Sequence, residues 1–245
     1  LHYPLRRQRQ MCIRDRIIGC KSNTYYDSKI SQLEETSIID LVPNIQKQGM
    51  KWLLKNMDKD DKNILSTSFL IDNCNYAYEA WDSTPWGSVD DSLFFEYILP
   101  FSSLNERRDN WRQDFYERFF PIVKNAKSAS EAAAILNNNI FEMVGVIYST
   151  KRPKADQSPY ESIEAGLASC TGLSFMLIDA CRSVGIPARF VGTPMWYNNS
   201  GNHSWVEIWD NGWHFTGAFE PTGDRPVSYT HLRAHETDSY LVCRL

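Results

Sequence analysis

The clearest periodicity in the chain runs through residues 168–190, ASCTGLSFMLIDACRSVGIPARF. Cys170, Leu173, Leu177, Cys181 and Val184 recur at three- and four-residue intervals, the apolar stripe of an amphipathic helix. Ser169 can cap its first turn, Gly185 suits the left-handed position after its last, and Pro187 stops any continuation. From Ala188 the period falls to two. ARFVGT alternates as a strand, and GNHSWVEIWDNGWHFTGAF reads as a hairpin turning at Asn211-Gly212. A two-residue turn there pairs 210 with 213 and, counting back, His203 with Glu220. Gly217 can add a bulge that shifts this register.

Upstream the pattern is helical. The pattern within residues 29–57 predicts that they contain a helix, with Ile45, Trp52 and Leu53 among its apolar positions. Trp111, Phe115 and Phe119 stand at i, i+4 and i+8, an aromatic stripe better explained as core than as a ligand cage, and Pro121 ends it or starts a new helix. A third helix begins at a Ser128 or Ser130 cap, has Glu131 in its first turn, and buries Ala132, Ile135, Leu136, Ile140 and Val144. STKRPKADQSPYES, at 149–162, reads as a loop from its proline, serine and charge content. Together these patterns predict an α+β fold. A helical extension over 29–127 precedes a core over 128–224, in which one helix packs on an antiparallel sheet.

The two ends break the pattern. Residues 1–16 and roughly 225–245 lack apolar periodicity, and MCIRDR and SYTHLRAHET resemble translated sequencing-adapter read-through. They are expected to be non-native scars on a truncated gene, the alternative being a genuine basic arm and tail. The first carries five arginines against one acid and the second three against two, so the remainder of this −4 chain has a formal charge of −9. An acidic body without a basic stripe argues against a nucleic-acid partner. A composition of 42% hydrophobic and 23% charged residues is that of an ordinary globular protein, and no stretch approaches the roughly 18 apolar residues of a membrane span. IIGC, at 17–20, resembles the end of a bacterial lipoprotein signal. That implies membrane attachment through a lipidated Cys20 and a periplasmic or cell-surface location, with 17–28 as tether; a chance tetrapeptide is the alternative.

Setting the ends aside leaves Cys20, Cys74, Cys170 and Cys181, which do not form a disulfide framework. Cys170 and Cys181 share a helix face but stand about 16 Å apart along the axis, too far to bridge. Only two histidines remain, His203 and His214. A thiol becomes a nucleophile as thiolate, and the free N–H groups and partial positive charge of a helix N-terminus favour that form. Cys170 stands at such an end. Period two puts His203, Trp205, Glu207 and Trp209 on one face of their strand, and a carboxylate opposite the imidazole, Glu220, would fix its tautomer. The expected catalytic set is therefore Cys170, His203 and Glu220. Trp196, Tyr197, Trp205 and Trp209 are candidate aromatics of a substrate cleft, with core packing the alternative for each. His214 is a packing or substrate-side residue, and Cys74 and Cys181 are core thiols. No paired ligand spacing suggests a metal, and no cofactor is expected. Asn198 and Asn202 begin glycosylation sequons, and a glycan on Asn202 would crowd the site.

SCTGLSFMLIDACRSVGIPARFVG followed by NHSWVEIWDNGWHFTGAFEP resembles the core of the transglutaminase-like superfamily, and is similar in layout to peptide N-glycanase. The resemblance covers roughly residues 128–222, and EYILPF…NERRDNWR resembles the helical segment that precedes this core in some bacterial members. It implies a papain-like scaffold with a Cys–His–Asp triad, Cys170 as nucleophile and His203 as base. Aligned through Trp213, Gly217 falls where the family's aspartate belongs, and Glu220 is the nearest acid. The implied reaction is attack on a peptide or protein amide through a thioacyl-enzyme, resolved by water or an amine, with the Cys170 N–H as one oxyanion donor. The alternative is an inactive module of this fold that binds peptide or glycan at the cell surface.

Overall fold

The computed structural model describes residues 27–87, 89–195 and 201–219. The stretch 29–57, expected to contain a helix, is divided near Pro43. It holds a 3₁₀ turn at Ile30–Gln32, helix α1 at Glu35–Ile39, a second 3₁₀ turn at Asn44–Gln46 and helix α2 at Lys47–Asn56. Pro43 explains the break, because it supplies no N–H and disfavours helix at the residue before it. Ile45 consequently falls on the solvent side, 76% exposed, while Leu53 is buried.

Helix α3 (Lys59–Ile64), α4 (Thr67–Ser83) and α5 (Asp91–Tyr97) follow. Side-chain caps start the last two: Ser66 accepts from Phe69 N at 3.3 Å, and Asp90 from Leu93 N at 2.9 Å. These helices enclose one apolar cluster, built around Met50, Leu53, Leu70, Cys74, Phe94 and Leu99.

Helix α6 spans Arg112–Val123 and carries the predicted aromatic stripe, with Trp111, Phe115 and Phe119 all buried. Pro121 lies in its last turn and the helix ends two residues later. Helix α7 (Ala129–Val144) starts at the expected Ser128 cap, which accepts from Glu131 N at 3.1 Å. Strand β1 (Ile147–Tyr148) then pairs in parallel with β2 (Leu167–Ala168). Between them lies α8 (Pro159–Ala165), whose first half falls in the segment expected to be loop. A capping box nucleates it: Ser158 Oγ accepts from Glu161 N at 3.3 Å, and the Glu161 carboxylate accepts from Ser158 N at 2.9 Å, with Pro159 pre-set for the first turn.

Helix α9 (Cys170–Ser183) leads through Gly185 into a three-stranded antiparallel sheet, β3 (Ala188–Thr193), β4 (His203–Trp209) and β5 (Trp213–Thr216), in that spatial order. Gly185 has φ +78°, and a Cβ there would stand 2.8 Å from the Ala80 carbonyl oxygen. A second apolar cluster joins α6, α7 and α9 to one row of the sheet, Ala188, Phe190, Val206 and Ile208. The α6 stripe belongs to this cluster, and so does Trp86. The architecture is α+β, a helix packed on an antiparallel sheet with helices preceding it. No helix among the described residues is long and apolar enough to cross a membrane.

Buried polar groups knit the two cores. Arg112, 2% exposed, donates from Nε to Asn73 Oδ1 at 2.7 Å and from its two terminal nitrogens to the carbonyls of Ile98, Leu99, Pro100 and Arg182 at 2.9–3.2 Å. Arg182 donates to Ala188 O at 3.2 Å and Ser102 O at 2.8 Å. Burial pulls the Arg112 pKa down to about 9, with the neighbouring Arg182 charge adding to the effect. The same burial lifts Asp179, one turn before Arg182, well above the usual carboxylate range against the pull of both arginines. Trp86 reaches the end of α9, its indole N–H donating to Val184 O at 2.9 Å.

Candidate active site

Cys170 is the first residue of α9, and short elements brace it from behind. The Ser169 hydroxyl accepts from Gly172 N at 3.1 Å, capping the helix, and donates to Ala155 O. A Cβ on Gly172 would lie 3.2 Å from Ser162 Oγ and 3.3 Å from Ala168 Cβ, so the first turn sits close against α8 and β2. Cys170 is partly exposed, whereas Cys74 and Cys181 are fully buried. Burial pushes the Cys74 thiol up to about 12 despite the nearby Arg112 charge, and raises Cys181 as well. Both are core thiols, as the sequence suggested.

His203 is the first residue of β4 and lies opposite Thr193 of β3. Its neighbour Ser204 meets Thr171, the neighbour of Cys170, with the two hydroxyl oxygens 3.1 Å apart. The start of the thiol-bearing helix and the start of the histidine-bearing strand are therefore joined directly. Strand alternation then sorts the side chains. Val206 and Ile208 lie in the α9 cluster on the row shared with Ser204, and His203 takes the other row, its ring 6.3 Å from that of Trp205 with the planes 28° apart. Burial lowers the His203 pKa, favouring neutral imidazole.

The hairpin differs from expectation by one residue. Trp209 pairs with Trp213 and Glu207 with Phe215, so three residues, 210–212, form the loop. Asn211 and Gly212 both take positive φ, 57° and 155°. Counting back, this register sets residue 219, not 220, across from His203, although β5 itself ends at Thr216. Asp210 is what leaves the ladder. Its carboxylate accepts from Ser130 N at 3.0 Å at the start of α7. Partial burial pushes its pKa up, but hydrogen bonds from Ser130 and Ser128 outweigh that and hold it below the usual value.

The expected cleft aromatics separate. Trp205 is fully buried with Val191 and Phe215, so it is a packing residue and not an open substrate contact. Trp209 is half-buried and meets Trp213 edge to face at 5.5 Å. Trp213 in turn lies under the Arg189 guanidinium, 3.9 Å from ring centroid to Cζ, and Arg189 donates to Glu207 at 2.6 Å. His214 is exposed and hydrogen-bonds Asp210 O at 3.0 Å, serving the turn. Trp196, Tyr197, Glu220 and Cys20 lie outside the described residues. The Thr171–Ser204 clasp escaped the sequence reading. Both hydroxyls were visible beside the candidate residues, but nothing in a 33-residue separation says that they meet.

Residues 118–217 match the family model of the transglutaminase-like superfamily. The chain matches none of the curated proteins. Among solved structures it is similar to a Cytophaga hutchinsonii protein provisionally named a cysteine protease, at 20% identity and a TM-score of 0.42, covering 59% of this chain and 48% of that one. The chain thus spans about half the length of that protein. Over residues 118–217 this chain is similar to the transglutaminase-like superfamily, and that stretch carries both Cys170 and His203.

Proposed function

We propose that the protein is a cysteine-dependent amide hydrolase or acyl transferase acting on peptide or protein amides, with Cys170 as nucleophile and His203 as base. The observation that carries this reading is the Thr171–Ser204 contact, which fixes the N-terminus of α9 against the first residues of β4. Its partly exposed thiol distinguishes Cys170 from the two buried ones. A histidine whose burial favours the neutral form is ready to take the thiol proton. Attack of the sulfur on an amide carbonyl forms a C–S bond; His203 then passes the proton to the departing amine, leaving a thioester that water or a second amine resolves. Glu220 is the carboxylate proposed to steady the imidazolium formed in between. A periplasmic or surface location through Cys20 remains part of the proposal.

One observation favours a second reading. Alternation turns Ser204 toward α9 and His203 away from that row, so the ring must reach the sulfur around the end of the strand. A module of the same fold that binds peptide without cleaving it would carry no such requirement. Iodoacetamide alkylation of Cys170, followed by peptide mapping from pH 5 to 10, separates the two. An alkylation limb below the free-thiol value of about 8.5 that disappears in His203→Ala supports the enzyme. A single limb at the free value, the same in both proteins, supports the binding module.

A further inference from the structure

The short parallel pair β1–β2 runs up to the thiol and leaves one edge open. Ile147 N donates to Gly166 O at 3.1 Å and Ser149 N to Ala168 O at 2.9 Å, so these two residues face β2. Successive residues of a parallel strand direct their main-chain groups to opposite sides, and Tyr148 therefore turns its N–H and C=O away from β2. The sheet holds two strands, and neither group has a partner among the described residues. The side chains are open as well: Ile147 is 55% and Tyr148 54% exposed, on opposite faces of the strand. Native sheet edges are commonly guarded by charge, proline or a bulge. Ile147 and Tyr148 supply none of these.

The position of this edge links it to the site. Tyr148 stands opposite Ala168, and β1 runs in the same direction as β2, so the edge ends on the Cys170 side. A third strand laid along it would lie about 10 Å from β2, two strand spacings. Cys170 is about 7 Å further along at the rise of a strand, so it stands about 12 Å from a residue paired with Tyr148, or about three to four extended residues. The chain just past β1 is basic. Lys151 and Arg152 form no ion pair among the described residues, whereas Lys154 is engaged by Glu161 at 3.0 Å. Lys151 N donates to Ser149 Oγ at 3.0 Å and Arg152 to Thr150 O at 3.0 Å, which fixes the turn that carries both cations. On an otherwise acidic body they favour an acidic side chain on the incoming strand.

We propose that the open edge of β1 is the docking strand for the substrate polypeptide: an extended segment bearing an acidic side chain pairs with the Tyr148 N–H and C=O, sets that side chain near Lys151 and Arg152, and lays an amide about three to four residues away at Cys170. This deepens the enzyme reading above and rests on it. Main-chain hydrogen bonds place the segment without fixing its sequence, and Ile147 and Tyr148 meet its alternating side chains.

The test uses the full chain and probes built on iodoacetamide. The probe is a hexapeptide of alternating threonine and valine with one aspartate, capped at both ends, with iodoacetamide attached at one end or the other. Its rate of alkylation at Cys170, read by peptide mapping, is divided by that of free iodoacetamide. The better of the two probes is expected to show a gain of about tenfold or more, the effect of a raised local concentration. Methylating every amide nitrogen of the probe removes its donors and should abolish most of the gain. Tyr148→Pro removes the outward N–H while the bonds from Ile147 and Ser149 to β2 stay, and should do the same; Tyr148→Thr keeps the N–H and should retain the larger part. Exchanging the probe's aspartate for lysine should slow it, and Lys151→Glu should reverse that preference. A probe no faster than free iodoacetamide overturns the docking edge, and so does a gain that survives methylation. The methylated probe acts on the parent protein, so this arm holds even if Tyr148→Pro does not fold. Sedimentation showing a dimer that Tyr148→Pro dissolves gives the edge to a second copy of the chain and overturns it as well. A gain that needs Tyr148, beside an alkylation–pH profile insensitive to His203→Ala, keeps the peptide edge and removes the enzyme reading instead.

Discussion

Replacing Arg112 by methionine keeps much of the side-chain volume and deletes all of its donors. Five acceptors lose a partner, but they are not equally exposed to the loss. Leu99 O keeps Asn73 Nδ2 at 2.9 Å, Pro100 O keeps Arg182 at 3.4 Å, and Arg182 O keeps Gly185 N at 3.2 Å. Asn73 Oδ1 and Ile98 O have no other partner among the described residues. Each buried acceptor left unpaired costs about 1–3 kcal/mol, and losing one member of a buried charge cluster typically costs about 3–5 kcal/mol, so Arg112→Met should destabilise by about 4 kcal/mol. That is a large share of a total of about 5–15 kcal/mol. Arg112→Lys retains a charge and three donors without the planar fork, and should lose about half as much. Urea unfolding followed by tryptophan fluorescence and far-ultraviolet circular dichroism gives both values. A methionine variant within about 1 kcal/mol of the parent would refute the count of orphaned acceptors. A lysine variant as damaging as methionine would refute the argument from donors.

Other outcomes follow from the same geometry. Gly185→Ala combines a left-handed backbone with a 2.8 Å approach to Ala80 O and should destabilise by about 2 kcal/mol, read as a lower melting temperature. Ser169→Ala removes the cap of α9 and the partner of Ala155 O, and should lower stability by about 1–2 kcal/mol in urea melts. For His203, the unfolded chain takes up a proton near pH 6.5 and the folded one only below that. The unfolded state therefore binds more protons in this window, and stability should fall as pH drops through 6.5. His203→Gln should flatten that part of the stability–pH curve, and an unchanged slope would contradict the assigned burial effect.

What the sequence made legible was whatever its period encoded. The α9 stripe and cap, the Trp111–Phe115–Phe119 face and the β3–β4–β5 order each rest on repeated apolar spacing, and each appears in the structure. Within 29–57 the expected helix appears at Lys47–Asn56, and Ile45 falls outside it because Pro43 interrupts an apolar pattern that continues across it. Helix α8 hid behind loop-like composition, although the Ser158–Glu161 capping box and Pro159 marked its start. The hairpin register turned on Asp210, whose bond to Ser130 spans 80 residues and leaves no local trace. At the site, Cys170 and His203 could be nominated from local chemistry. Thr171–Ser204 could not, because it is a tertiary contact between residues of unremarkable type.

The reach of Trp86 into the far end of α9 bears on how the molecule can be shortened. The matched stretch, 118–217, omits Trp86, Trp111 and Phe115, all of them members of the cluster that α9 packs into. A polypeptide trimmed to that stretch would leave three aromatic sockets open to water and Val184 O without its indole donor. The thiol-bearing helix would then have lost one of its walls. Recombinant fragments meant to retain this helix in its packing must begin upstream of residue 86, and the segment from Trp86 to Phe115 is thereby part of the body that holds Cys170 rather than an appendage to it.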